Sequence, residues 1–157
     1  MDRKNSLRWY KIKEKPRKES IYDGSYESTL LFKARSDSLE VNEKKRKWGE
    51  QNDKCEKCND VDGSPIETLE HVLIECKAYK EIRNTFEEKI KNKLGEEQWE
   101  RKKAQEDKGM KTILGLTADG KEIVEDTKQY LKEIWRRRKM VTKRRAELRG
   151  SEHNYTK

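Results

Sequence analysis

The chain has 157 residues, of which 31% are hydrophobic and 45% charged, and a net charge of +8. So small an apolar share leaves room for a modest core only, and no stretch approaches the roughly 18 apolar residues of a membrane-spanning helix. Three cysteines cannot all pair within one chain, and the polar N-terminus has no apolar signal core. Reduced thiols or metal ligands are therefore expected rather than a disulfide framework, in an intracellular protein of the nucleus or cytoplasm with no membrane partner. A sequence pI near 9.3 draws the chain toward phosphate backbones.

Residues 1–20 (MDRKNSLRWYKIKEKPRKES) show little periodicity and contain Pro16, and read as a flexible basic arm. Asp23-Gly24-Ser25 is a turn, and a helix is expected from about Glu27 to Arg35 with Leu30, Leu31 and Phe32 apolar. Asn42 reads as the N-cap of a short helix, EKKRKW, closed by Gly49, with Leu39, Val41 and Trp48 facing inward. Ser64-Pro65-Ile66-Glu67 carries the marks of a helix start: Ser at the N-cap, Pro at the first position, Glu closing a capping box. Ile66, Leu69, Val72 and Leu73 then follow at helical spacing.

Tyr79, Ile82, Phe86, Ile90 and Leu94 predict a further helix that ends at Gly95. Residues 96–109 form a polar connector, partly helical around Trp99, and KTILGL (111–116) is an apolar run able to dock into the core. Beyond Gly120 a long helix carries Ile123, Thr127, Tyr130, Leu131, Ile134 and Trp135 as its apolar stripe, with Val141 as an extension. The expected layout is a basic arm at 1–20, a helical metal-binding domain at 21–95, a connector at 96–120, an amphipathic basic helix at 121–148 and a disordered tail at 149–157.

All three cysteines and one of the two histidines fall within CEKCNDVDGSPIETLEHVLIEC, residues 55–76. The spacing is Cys55-x2-Cys58-x12-His71-x4-Cys76. A C-x-x-C turn offers two thiolates from one tight loop, and a thiolate-rich Cys3His set favours zinc over hard ions. Four protein ligands close a tetrahedral shell, so the expected metal is one structural zinc rather than a catalytic one; the plain alternative is three incidental buried cysteines and a surface histidine. On an unbroken α-helix, five residues turn by about 140°. His71 and Cys76 can share an ion only if the helix stops or distorts between Ile74 and Lys77. The fold class expected is mainly α: a small helical domain organised around one CCHC zinc site, with a long basic C-terminal helix.

This order of features resembles the C-terminal region of reverse transcriptases encoded by non-LTR (LINE-type) retrotransposons. The likeness is carried by the CCHC spacing with its Glu-His-x4-Cys half (ETLEHVLIEC). Flanking it are LLFKARSDSLEVNEKKRKWG before, KAYKEIRNTF after, and the ending ILGL followed by QYLKEIWRRRKMV. It covers roughly residues 20–145. The resemblance implies Cys55, Cys58, His71 and Cys76 as zinc ligands, RNA or DNA as partner, and other parts of a retrotransposon ribonucleoprotein as company. No paired polymerase aspartates and no endonuclease acidic cluster are present, so the chain is expected to correspond to a non-catalytic C-terminal piece.

Basic residues are densest in RRRKMVTKRRAELR, 136–149. Arg136, Arg137, Arg138, Lys143, Arg144 and Arg145 are the expected phosphate contacts. Trp135, Tyr79 and Trp48 could stack on bases, although their spacing is that of core residues. The bland alternatives are a solvated helix face and, for KKRK at 44–47, an import signal. A protein-interaction adaptor held together by zinc is the competing functional expectation.

Overall fold

The computed structural model describes residues 19–47, 53–58 and 63–153. Most of the basic arm, together with Trp48, Gly49 and residues 154–157, lies outside them. The described residues are mainly helical, as expected, and contain no strand beyond an isolated antiparallel bridge between Lys54 and Ile66.

Helix α1 spans Tyr26–Arg35. Ser25 caps it by accepting from Ser28 N at 3.1 Å, and Asp23 in turn accepts from Ser25 N at 2.9 Å. Leu30, Leu31 and Ala34 are buried, whereas Phe32 stands half-exposed. Arg35, at the last turn, is fully buried. It donates to the carbonyls of Leu114 (2.7 Å) and Gly115 (3.2 Å), to the Tyr22 hydroxyl (3.0 Å) and to Glu19 (2.9 Å). A buried guanidinium is tolerable only when its donors are met in this way.

Helix α2 spans Asn42–Lys47. Asn42 opens α2 and ties it to the chain on either side of the cysteine turn. Its amide donates to the Lys54 carbonyl at 2.8 Å, and its backbone N–H is taken by the distant Glu67 carboxylate at 3.0 Å. The expected helix start at Ser64 is absent. Pro65 to Glu67 run extended against residues 53–55, with Cys55 N donating to Pro65 O at 2.7 Å and Glu67 N to Asp53 O at 2.8 Å. A capping box is a local signal, and here the pairing across the cysteine turn outweighs it. Helical backbone begins instead at Leu69, capped by Thr68, whose hydroxyl accepts from His71 N at 3.0 Å.

A π-helical turn, His71–Glu75, and a 3-10 turn, Lys77–Tyr79, lead into α3, Lys80–Leu94. Gly95, with φ +90°, ends α3 and reverses the chain into α4, Glu96–Lys103. Lys103 reaches back to Glu87 at 3.7 Å, so α4 returns antiparallel along α3. Short helices α5 (Met110–Ile113) and α6 (Ala118–Glu122) follow, then α7 from Val124 to His153. The 96–120 stretch is therefore more than a connector: it buries Trp99, Met110, Ile113 and Leu114 in the same core as α1, α3 and α7. The last helix also runs past 148, into residues expected to be tail.

Helix α7 is the central pillar. Thr127, Tyr130, Leu131, Ile134 and Trp135 of its expected stripe are buried, as is Ile123 just before it; the side chain of Val141 lies outside the described residues. Burial of each large apolar side chain contributes roughly 2 kcal/mol. Against α3 the helix runs antiparallel: Lys93–Asp126 pair at 2.7 Å at one end, Phe86 and Tyr130 stack at 4.3 Å in the middle, and Arg137 donates to Ala78 O at the other. On its opposite flank, Lys132 pairs with Glu27 of α1, and Lys139 lies over the Tyr26 ring.

Gly115, at the α5–α6 turn, has φ +72°, and a Cβ there would lie 2.4 Å from Val124 Cγ2 and 2.8 Å from Arg35 Nη2. Gly115→Ala is expected to destabilise the fold by on the order of 2 kcal/mol, through backbone strain plus displacement of Arg35. Urea denaturation of the purified chain checks this.

Candidate metal centre

The four expected ligands come together. Cys55, Cys58, His71 and Cys76 are all buried, and their ligand atoms lie within 4.8 Å of one another. The Cys55–Cys76 and Cys58–Cys76 sulfur distances are 3.9 Å and 3.8 Å. A tetrahedron with metal–sulfur bonds of about 2.3 Å has sulfur–sulfur edges of about 3.8 Å. A disulfide needs about 2.05 Å, and all three thiols are free. The group could hold one metal ion.

Two local devices place the ligands. The pairing of 53–55 with 65–67 holds Cys55 at the mouth of its turn. His71 and Cys76 are joined by the expected distortion. Cys76 N donates to His71 O at 2.7 Å, an i to i+5 bond that widens the turn by one residue, and Cys76 itself is extended at φ −62°, ψ 123°. Widening disturbs the carbonyl ladder of the turn, and neighbours meet the carbonyls. Arg83 donates to Leu73 O (3.0 Å) and Cys76 O (2.8 Å), and the Tyr130 hydroxyl to Leu73 O (2.6 Å).

A further observation fits a cation. Both ring nitrogens of buried His71 lack a hydrogen-bond partner, a costly state for an imidazole unless something else engages it. Burial, and then the neighbouring sulfurs, push the Cys76 thiol up to about 12, and burial likewise raises Cys55.

Tyr79 and Glu67 couple the centre to α7. Arg138 is only 13% exposed and pairs at 2.7 Å with Glu67, which is 3% exposed. It also donates to Glu40 O at 3.3 Å and approaches the Tyr79 hydroxyl at 3.5 Å, where Lys57 of the cysteine turn converges. Arg138 was expected on a phosphate; the structure engages it inside the fold. Tyr79 and Trp135 are likewise buried and offer no stacking platform. Arg136 and Arg137 are exposed on α7, with Arg137 anchored to Ala78 O at 3.1 Å. The side chains of Lys143, Arg144 and Arg145 lie outside the described residues, although their backbone continues α7. In the 44–47 run, Lys44 is buried and paired with Asp37 at 2.7 Å.

Sequence reasoning missed Glu67 because its place three residues after Ser64 made it a helix cap. No signal in the chain pointed to Arg138 within a run of like charges. Among the described residues, no helix is long and apolar enough to cross a membrane. Comparison with protein-family models, with curated proteins and with solved structures found no match.

Burial would raise the Glu67 pKa, but the Arg138 hydrogen bond and charge outweigh it and hold the carboxyl below its ordinary 4.5. A depressed carboxylate stabilises the fold fully above its unfolded value, and that contribution is lost as pH falls through the lower folded value. Glu67→Gln is therefore expected to cost about 3 kcal/mol at neutral pH, because it strands a buried guanidinium. Its gap to the wild type should shrink as pH falls below 4.5. Denaturation of both proteins across pH measures this.

Proposed function

We propose that this chain is a zinc-stabilised helical module that binds nucleic acid, similar to the C-terminal region of non-LTR retrotransposon reverse transcriptases. The observation that carries the reading is the set of four buried ligand atoms at tetrahedral sulfur spacing, with a basic helix tied to it. Zinc is the ion best matched to three thiolates and one imidazole, and four protein ligands leave it no open position for chemistry. Its role is then structural. The ion replaces three thiol protons, and its binding free energy adds to the stability of a chain with a small core.

The nucleic-acid reading is supported by the net charge of +8 and by the exposure of Arg136 and Arg137 on α7. The backbone of Lys143, Arg144 and Arg145 continues the same helix. Contacts of this kind release counterions and position the strand without reading its sequence. The chain's own part is thus non-catalytic, and RNA or DNA is its partner. A zinc-held adaptor for a protein partner is the second reading, favoured by the exposed Met140 and Leu148 on α7.

Metal analysis of the purified chain should find about one zinc per molecule. Chelation, or Cys58→Ser, should lower helicity and cooperativity; a metal-free chain that unfolds as cooperatively as before would overturn the zinc assignment. Anisotropy titrations with single-stranded RNA and DNA should show affinity falling steeply with salt. Replacing both Arg136 and Arg137 with Ala should reduce the salt slope by about 1.4, near 0.7 per phosphate contact on single strands. Absence of binding at low salt, with a protein partner recovered through α7, would favour the adaptor.

A further inference from the structure

His71 has an acidic neighbour that the metal ligands do not account for. Glu75 Oε2 lies 3.5 Å from His71 Nδ1, just outside a good N–H···O bond. The widened turn explains the approach. With an i to i+5 bond closing it, residues 75 and 76 both stand about one turn beyond residue 71. Cys76 thus reaches the ligand cluster while Glu75 reaches the imidazole.

Glu75 is itself held. Lys108 Nζ lies 2.7 Å from its Oε1 and 3.4 Å from Glu70. Lys108 comes from the turn between α4 and α5, where it adopts φ +54°, a region unfavourable for a residue with a Cβ. Asp107 fixes that turn by accepting from Gly109 N at 3.2 Å and Lys111 N at 3.0 Å. A distant loop therefore delivers a cation onto the carboxylate that faces His71.

An imidazole that binds a metal through one nitrogen needs an acceptor for the N–H on the other; that acceptor sets the tautomer and raises ligand basicity. We propose that Glu75 accepts the Nδ1–H of His71 and so commits Nε2 to the metal, with Lys108 holding Glu75 in position. Both are positioning residues, and the α4–α5 turn becomes part of the metal centre. The proposal rests on reading Cys55, Cys58, His71 and Cys76 as a metal site. Side chains of Glu75 and Lys108 are 45% and 49% exposed, so their replacement leaves no core cavity.

The test uses the reduced full chain. Zn2+ affinity is measured by competition with a chromophoric chelator, and the His71 ring nitrogens of the zinc-loaded protein are observed by 15N-edited NMR. Glu75→Ala is expected to weaken zinc binding by roughly tenfold or more. Glu75→Gln, whose amide oxygen still accepts, should recover most of that loss. Lys108→Ala should give a smaller loss. Glu70→Ala removes an equal charge beside the same lysine and should leave affinity within about twofold of wild type. The wild-type ring should carry its proton on Nδ1 and the metal on Nε2. Wild-type affinity in Glu75→Ala, or metal on Nδ1, would overturn the proposal while leaving the metal site standing. A wild-type chain that takes up no Zn2+ would remove the metal site and this proposal together.

Discussion

His71 and Cys76 stand five residues apart, and a regular α-helix would turn them away from a common point. The chain resolves this with one hydrogen bond, from Cys76 N to His71 O, which opens the turn by a residue. The surroundings follow from that choice. Carbonyls around the widened turn need donors, and Arg83 and Tyr130 supply them from α3 and α7. Tyr130 also stacks on Phe86, so the bond that completes the ligand turn is reinforced by the contact joining the two longest core helices.

Glu67 performs the same kind of joining with charge. Its backbone pairs with Asp53, its carboxylate takes the first amide of α2, and Arg138 of α7 closes on it. A buried ion pair is seldom a large net gain over an apolar packing, because both ions lose their water. What this one supplies is geometry. It ties the cysteine turn, α2 and the basic end of α7 together through the Glu67 carboxylate.

The legible parts of the sequence were those with long, regular patterns. The stripes of α3 and α7 were readable because burial repeats every three or four residues over several turns. The four ligands were readable because thiolate and imidazole chemistry restricts the choice, and the distortion near Ile74–Lys77 followed from helix geometry. Ser64–Glu67 misled because a capping box describes a helix in isolation, while these residues are drawn into an extended pairing beside Cys55. Residues 96–120 looked like a connector because their apolar positions are sparse, yet Trp99, Met110 and Leu114 each fill the core.

Sequence alone therefore determined which face of the two long helices seeks the core and which four side chains can share an ion. These depend on spacing and residue type, which are properties of short stretches. Tertiary structure decided the assignment of charges. Arg138 lies in a run with Arg136 and Arg137 and is chemically identical to them, but only the approach of Glu67, 71 residues earlier, takes it out of the basic surface. Lys108 and Glu75 meet across 33 residues on the same terms. Coulomb interactions act through space and are decided by which segments the fold brings together, so no reading of neighbouring residues could have separated the structural cations from the exposed ones.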